Sequence, residues 1–410
     1  LALSTEDTGR KNVAIGYRAL KDQNYGVDNF NTAVGFDAGL SVTTGVNNTL
    51  IGSLAGDAID TGGQNVAVGK ASLSSATTAS DNVGLGHGAL STLTTSARNV
   101  AIGTQALNGA MNTNGNTYNV AVGYQAGTAV TTGTLNTIIG GNAGDAITEG
   151  NNNVAIGYTA LSSETLGDRN VAIGNFALEN QNNTSDTDAY NTAVGYKAGN
   201  AVTTGVRNTL VGGSAGDALT TGNYNTALGY AALSAEDGHG ANVAIGYNTL
   251  ASQNAGQDAY NTAVGFQAGQ LISTGVENVV IGGLAGDALT TGYGNVVVGH
   301  QALSAEDTGR KNTAIGFEAL KVQDSATSNL NTALGYQAGK AVSTGVQNTI
   351  LGALSGDAIT TGDNNIIIGH NAATSAVGAD NETVIGTTTT TSALVHGLKK
   401  PLYETASNVA

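Results

Sequence analysis

Across 410 residues the chain holds 60 glycines, one proline, no cysteine and no tryptophan; 11% of it is charged, and the net charge is −15. That balance argues against nucleic acid as a partner, because neutralising phosphates needs a Lys/Arg surface, and the missing cysteines exclude a disulfide scaffold. Much of the 40% hydrophobic content is alanine, so a bulky globular core is not expected, and no run of about 18 apolar residues exists for membrane insertion.

Taken in chain order, residues 2–11 nearly repeat residues 302–311, the back half of a repeated unit. The chain therefore reads as starting inside a repeat of a longer or processed polypeptide, and the lack of a signal-peptide pattern says little about export. The units proper open at Asn12-Val-Ala-Ile-Gly16, Asn31-Thr-Ala-Val-Gly35 and Asn48-Thr-Leu-Ile-Gly52, and run to Asn365-Ile-Ile-Ile-Gly369. With a degenerate last copy from Asn381 to Gly386, carrying one extra residue, there are 22 copies, spaced by 16 to 21 residues and most often by 17. Such a period marks supersecondary pieces that bury their apolar face only on a neighbour.

Counting from each Asn as position 0, +1 is mostly Val or Thr and +3 is Val, Ile or Leu, which are β-formers at period-two spacing. Glycine recurs at +4, as a bend or a close backbone approach requires. Alanine fills +7 in 18 of the 21 regular units, Ser72, Thr249 and Ser355 being the exceptions. The unit reads as strand, turn, strand, with the Asn side chains stacked into an amide ladder from coil to coil. The predicted fold is all-β: an elongated parallel β-solenoid over residues 1–386, followed by a cap or a connection to a further domain over 387–410.

A four-unit cycle of roughly 72 residues, best seen from Asn170 through Asn365 and extended in its first turn by one unit from Asn82, lies over the shorter period. Its first unit carries extra residues, at 21–30, 108–118, 179–190, 251–260 and 321–330. Four of these insertions end in Phe30, Tyr118, Tyr190 and Tyr260 and the fifth in Leu330, which read as apolar anchors closing polar loops. Insertions in solenoids map to one face, often the binding face. Asn24, Tyr25, Asn114, Asn116, Asn182, Asn183, Gln253, Asn254, Gln323 and Asp324 are the candidate receptor contacts, their amides and carboxylates suited to hydrogen-bonding sugars. Padding of the shaft is the plainer role for the same loops.

Another unit type carries Gly-Asp and places Asp57, Asp145, Asp217, Asp287 and Asp357 at +9. These carboxylates are too far apart within one chain to share a cation; they read as turn caps, with an ion held between chains left open. His87, His300 and His370 stand at +5, where Tyr and Phe are usual, and read as aromatic replacements; no metal site, cofactor or catalytic group is expected. Volume trades between +2 and +5: Ala14 with Tyr17 and Ala193 with Tyr196, but Leu50 with Ser53 and Leu210 with Gly213. That exchange predicts that +2 and +5 face one shared interior or subunit interface. A thin single-chain roll buries little apolar surface per coil, so three chains about one axis, burying the Ala-lined side, are expected.

Beyond Gly386 the register fails: five threonines follow, and the one proline, Pro401, cannot continue a ladder. Two resemblances arise from these residues. The Asn-Val-Ala-Ile-Gly and Asn-Thr-Ala-Val-Gly units are similar to the head repeats of trimeric autotransporter adhesins, although the 17-residue unit is longer than theirs. That likeness implies a left-handed parallel β-roll in a homotrimer. Asn191-Thr-Ala-Val-Gly-Tyr-Lys-Ala-Gly199, Asn331-Thr-Ala-Leu-Gly-Tyr-Gln-Ala-Gly339 and the stretch 383–397 resemble repeats of phage tail fibres still more closely. It implies an extracellular virion fibre shaft, partnered by itself and other tail proteins, presenting surfaces to a host glycan or protein receptor. A bacterial surface adhesin is the alternative. Ice binding by the Thr pairs at +12 and +13 is a third reading, weakened because only half the coils carry them.

Overall fold

The computed structural model describes residues 2–5, 9–325 and 328–390. Twenty-two three-residue strands, β1 (Val13–Ile15) through β22 (Thr383–Ile385), occupy positions +1 to +3 of every unit. Each pairs in parallel with its sequence neighbours without slip: Val13 lies opposite Thr32, Thr192 opposite Thr209, and Ile366 opposite Thr383. The chain is thus an all-β parallel solenoid with one 22-stranded sheet. At about 4.8 Å per coil the stack is roughly 100 Å long. No helix occurs among the described residues, so none is long and apolar enough to cross a membrane.

The asparagines form the rail that sets this register. From Asn31 to Glu382, every residue at position 0 donates its backbone N–H to the Asn Oδ1 one coil earlier, as Asn48 does to Asn31 (2.8 Å) and Asn225 to Asn208 (2.9 Å). Most Asn Nδ2 groups reach across the hollow of their own coil to the carbonyl at +14, Asn208 to Gly222 at 2.9 Å among them. Those side chains are buried, so each rung satisfies backbone groups that water cannot reach. The last copy needs a correction. Glu382, not Asn381, stands at position 0, donating its N–H to Asn365 Oδ1 at 2.9 Å, and the final spacing is 17 with no extra residue.

Glycine at +4 ends each strand for a steric reason. At Gly195 φ is +140°, and a Cβ there would lie 2.5 Å from the carbonyl oxygen of Gly212 in the next coil. Alanine at +7 is fully buried, as are its stand-ins, whose hydroxyls donate to backbone carbonyls: Ser72 to Gly84 (2.9 Å), Thr249 to Gly265 (2.7 Å) and Ser355 to Ile367 (3.2 Å).

The second half of the unit is not a strand. Positions +6 and +8 are left-handed, as at Arg18 (φ 51°), Leu20 (φ 48°) and Lys197 (φ 56°), and so is the residue before each Asn, such as Arg207 (φ 58°). Among the described residues fifty-two other than glycine have positive φ, too many for isolated strain and therefore a rule of the coil. Alternating right- and left-handed residues flip successive peptide planes up and down the stack, so the chain curves while still bonding to both neighbours. Asp37 N–H donates back to Tyr17 (2.9 Å), and Gly39 N–H donates forward to Ala55 (2.9 Å).

Volume is traded inside the roll, but not between +2 and +5. Position +2 is buried, whereas Tyr17, Tyr196 and the other +5 aromatics stand outside. The partners of +2 are +8 and +11. Leu210 fills space left by glycine at +8 in its own coil and the one before: a Cβ on Gly199 would meet Leu210 Cδ1 at 2.7 Å, and one on Gly216 would meet its Cδ2 at 2.8 Å. Most coils with leucine at +8 instead carry Gln or Glu at +11, fully buried at Gln23, Glu164, Gln181, Glu236, Gln253, Glu306 and Gln323; those from Asn65, Asn82 and Asn99 carry Ala76, Leu93 and Ala110 there. The Ala-lined side therefore lies within one chain and is not left for partner chains.

Candidate interaction surfaces

With the small residues inside, the outer face of the sheet carries the larger ones. Position +1, mostly Val or Thr, and position +3, always Val, Ile or Leu, point outward, with aromatic rings at +5 beside them on many coils, so an apolar stripe follows the sheet. Tyr230, Tyr247 and Phe266 stack on consecutive coils with centroids 5.6 and 5.4 Å apart, and His300, Phe317 and Tyr336 repeat the pattern at 5.5 and 5.4 Å. Tyr158, Phe176 and Tyr196 make an edge-on version. Gly141, Gly213 and Gly283 leave a notch between clusters once per cycle. Tyr17 is 60% exposed and Phe266 54%. A stripe running the length of the rod is far larger than the roughly 300–600 Å² patch of an ordinary monomer. His300 stacks as an aromatic replacement would, while His87 and His370 are exposed at the same position.

The residue before each Asn forms a second outward column. Phe30, Tyr118, Tyr190, Tyr260 and Leu330 stand here exposed, so they are not buried anchors. Cations of the preceding coil cover three of them: Lys11 over Phe30 at 4.9 Å, Arg98 over Tyr118 at 5.6 Å and Arg169 over Tyr190 at 5.6 Å. One coil further on, Arg207 sits beneath Tyr224 and donates to its hydroxyl at 2.7 Å.

All five insertions leave the coil at the same corner, between +11 and the next Asn. Four are held by a parallel bridge to the coil before: Arg10 with Asp28, Ala97 with Asn116, Asp168 with Asp188, and Arg310 with Ser328. Asn24, Tyr25, Asn114, Asn116, Asn254 and Asp324 are exposed on these loops. Asn182 is half-buried, its Oδ1 accepting from Thr165 Oγ1 at 2.9 Å. Asn183, Gln253 and Gln323 belong to the interior: Gln253 and Gln323 each accept from the next ladder Asn, Asn261 (2.6 Å) and Asn331 (3.0 Å), and Asn183 binds Glu164. These three are therefore not surface contacts. Beside the fifth loop, Val322, Gln337, Lys340, Leu354 and Asp357 line a cleft of about 490 Å³.

The +12 hydroxyls are committed internally, Thr203 Oγ1 donating to the Thr220 carbonyl at 3.2 Å and Thr220 Oγ1 to Asp237 at 2.6 Å. That removes donors a flat ice-binding array requires. The +9 carboxylates recur four or five coils apart. Burial pushes Asp57, Asp145, Asp217 and Asp287 above the usual carboxylate range, while Asp357 is exposed. A raised folded value means the folded chain takes up its proton first as pH falls. Ionisation thus costs stability at neutral pH, and the cost vanishes as pH drops through the raised value into the ordinary range. Asp217→Asn is expected to raise the thermal midpoint at pH 7, with the gap closing toward pH 4. The gain is below about 1 kcal/mol because the carboxyl is partly solvated; calorimetry at the two pH values measures it.

The interior carboxylates at +11 are missed by sequence reasoning, which treats Glu as a surface residue. Their signal is that the same position is Val, Ile or Leu in neighbouring coils, as at Val202 and Leu219. Burial raises Glu236 and Glu306. No protein-family model matches the chain and no curated protein matches it, so what these surfaces do rests on their own chemistry.

Proposed function

We propose that this chain is part of the shaft of an extracellular fibre, a virion tail fibre, in which three copies pack their sheet faces together and hold the insertion loops toward a host receptor. One observation carries the reading: an outward apolar stripe, with an aliphatic residue at +3 of every coil and clusters of aromatic rings at +5, along a solenoid about 100 Å long. Exposed apolar area on that scale calls for a partner of the same length, and another copy of the rod is such a partner. Its polar loop corner stays free, and Asn24, Tyr25, Asn114, Asn116, Asn254 and Asp324 are the side chains there able to bind a glycan or a protein. The role is mechanical and adhesive rather than catalytic.

Sedimentation of the full chain tests this directly. The expected result is an elongated particle of three times the chain mass. Tyr247→Glu with Phe266→Glu, which charges the stripe but leaves the interior untouched, should release single rods with unchanged circular dichroism. A monomeric parent protein at micromolar concentration would refute the assembly. The head of a bacterial trimeric adhesin is a second reading, favoured by the likeness of the Asn-Val-Ala-Ile-Gly units to such heads. A fibre chaperone domain or an anchoring β-barrel in the flanking sequence separates the two.

A further inference from the structure

Three sibling coils place a glutamate at the interior position +11, and comparing them exposes one that differs. Glu164 Oε1 accepts the N–H groups of Thr165 (2.9 Å), Gly167 (2.8 Å) and Asn183 (3.1 Å); its Oε2 accepts Gln181 Nε2 (2.8 Å) and Asn183 Nδ2 (3.0 Å). Glu306 is served in the same way, by Gly309 N–H (2.7 Å) on one oxygen and by Gln323 Nε2 (3.2 Å) and Asn329 Nδ2 (2.7 Å) on the other. A buried carboxylate with that many donors needs no counter-ion.

Glu236 has lost half of that cradle. It is fully buried, and its Oε2 has no partner. Asn329 stands two residues before a ladder Asn; the matching residue in the coil next to Glu236 is Ala259. Gln253 Nε2 has turned away to the Ser273 carbonyl (3.2 Å). In exchange, the glycine found at +14 in the siblings is His239. Its N–H still donates to Glu236 Oε1 (3.0 Å), but its ring Nδ1, enclosed and without a hydrogen bond, lies 3.5 Å from that same oxygen. Asp237 adds a carboxylate, and ligand atoms of the three residues fall within 4.8 Å of one another.

We propose that Glu236, Asp237 and His239 bind a divalent transition-metal ion of the zinc class. The donor set is one imidazole nitrogen and two carboxylates, which suits such an ion and leaves a fourth position for water. Two ligands each about 2.1 Å from a tetrahedral ion stand about 3.4 Å apart. At 3.5 Å from Oε1 the imidazole Nδ1 already stands at that spacing from the Glu236 carboxylate, whose unpartnered Oε2 is the oxygen left to bind. Asp237 is exposed and can swing to close the remaining distance. Two carboxylates and a neutral imidazole carry the charge that a divalent cation neutralises, and the ion supplies Oε2 with the partner that Asn329 gives Glu306. The second acidic cluster, Glu306 with Asp307 and Asp324, has no such vacancy, because both oxygens of Glu306 are already bonded.

Titrating the full chain with Co²⁺ and following its visible absorption, then displacing it with Zn²⁺, tests the site. The expected result is one ion per chain with micromolar or tighter affinity, weakened at least tenfold by His239→Ala. Ala259→Asn guards against a folding defect: it restores the sibling amide toward Oε2, keeps the rod intact, and should weaken binding by a similar factor. Asp307→Asn should leave the titration unchanged. Absence of binding up to millimolar Co²⁺, or binding that survives both His239→Ala and Ala259→Asn, overturns the proposal.

Discussion

Asn208→Ala should cost the rod about 3–5 kcal/mol, far more than its size suggests. The substitution removes an acceptor for the N–H of Asn225 and a donor for the carbonyl of Gly222, both at 2.9 Å and both inside the roll. Each stranded buried group costs roughly 1–3 kcal/mol, and no water can replace the amide. Coils contact only their neighbours, so the damage stays local and splits the stack. Denaturant unfolding of the full chain should change from one transition to two. Asn254→Ala is the control, because that residue is exposed on an insertion loop; its effect should stay within about 0.5 kcal/mol. Equal effects for the two substitutions would remove the ladder from the account of stability.

Gly195→Ala should destabilise by about 3 kcal/mol or more, although it adds a single methyl group. The backbone there has φ +140°, which an L-residue rarely adopts, and the new carbon would lie 2.5 Å from the oxygen and 2.6 Å from the carbon of Gly212's carbonyl. Backbone on the other side of the contact cannot yield, since Gly212 is pressed in turn against Gly229. Gly115→Ala, at a loop glycine with nothing within 4 Å, should be close to neutral. A thermal midpoint for Gly195→Ala near that of the parent would contradict the close-approach explanation.

The stacked unit, its strand and its two invariant residues were legible because each leaves a chemical trace at a fixed offset. Asparagine at position 0 accepts from the next coil and donates across its own, and glycine at +4 admits a carbonyl that any side chain would block. The second half was misread as a strand because its left-handed positions hold Leu, Arg, Lys and Tyr, residues whose own preferences run against that conformation. Only stacking imposes it. Position +5 shares its parity with +1 and +3 and stands outside with them; the volume trade alone pointed it inward, because its size varies inversely with that of +2, whose interior partners are +8 and +11. Six of the ten loop residues singled out, Asn24 and Asp324 among them, are exposed. Gln253 and Gln323 are not, since an insertion displaces the neighbouring rung and a glutamine fills the gap. The Glu-Asp-Gly-His run at 236–239 becomes informative only once its siblings at 164–167 and 306–309 are laid beside it.

The four-coil cycle makes this molecule a ruler with two graduations. Because the interior volume trades and the insertions return every fourth coil, apart from one five-coil interval between Asn12 and Asn99, recombination between equivalent coils can remove or add a whole cycle without creating a mismatched junction. Each such event changes reach by about 19 Å at 4.8 Å per coil. Losing the coil with glycine at +8, such as the one from Asn191, would set Leu178 against Leu210, an overpacked junction. Reach in such a lineage should therefore change mostly in steps of four, single-coil steps being confined to coils such as the extra one from Asn82, which repeats the leucine at +8 of its neighbour.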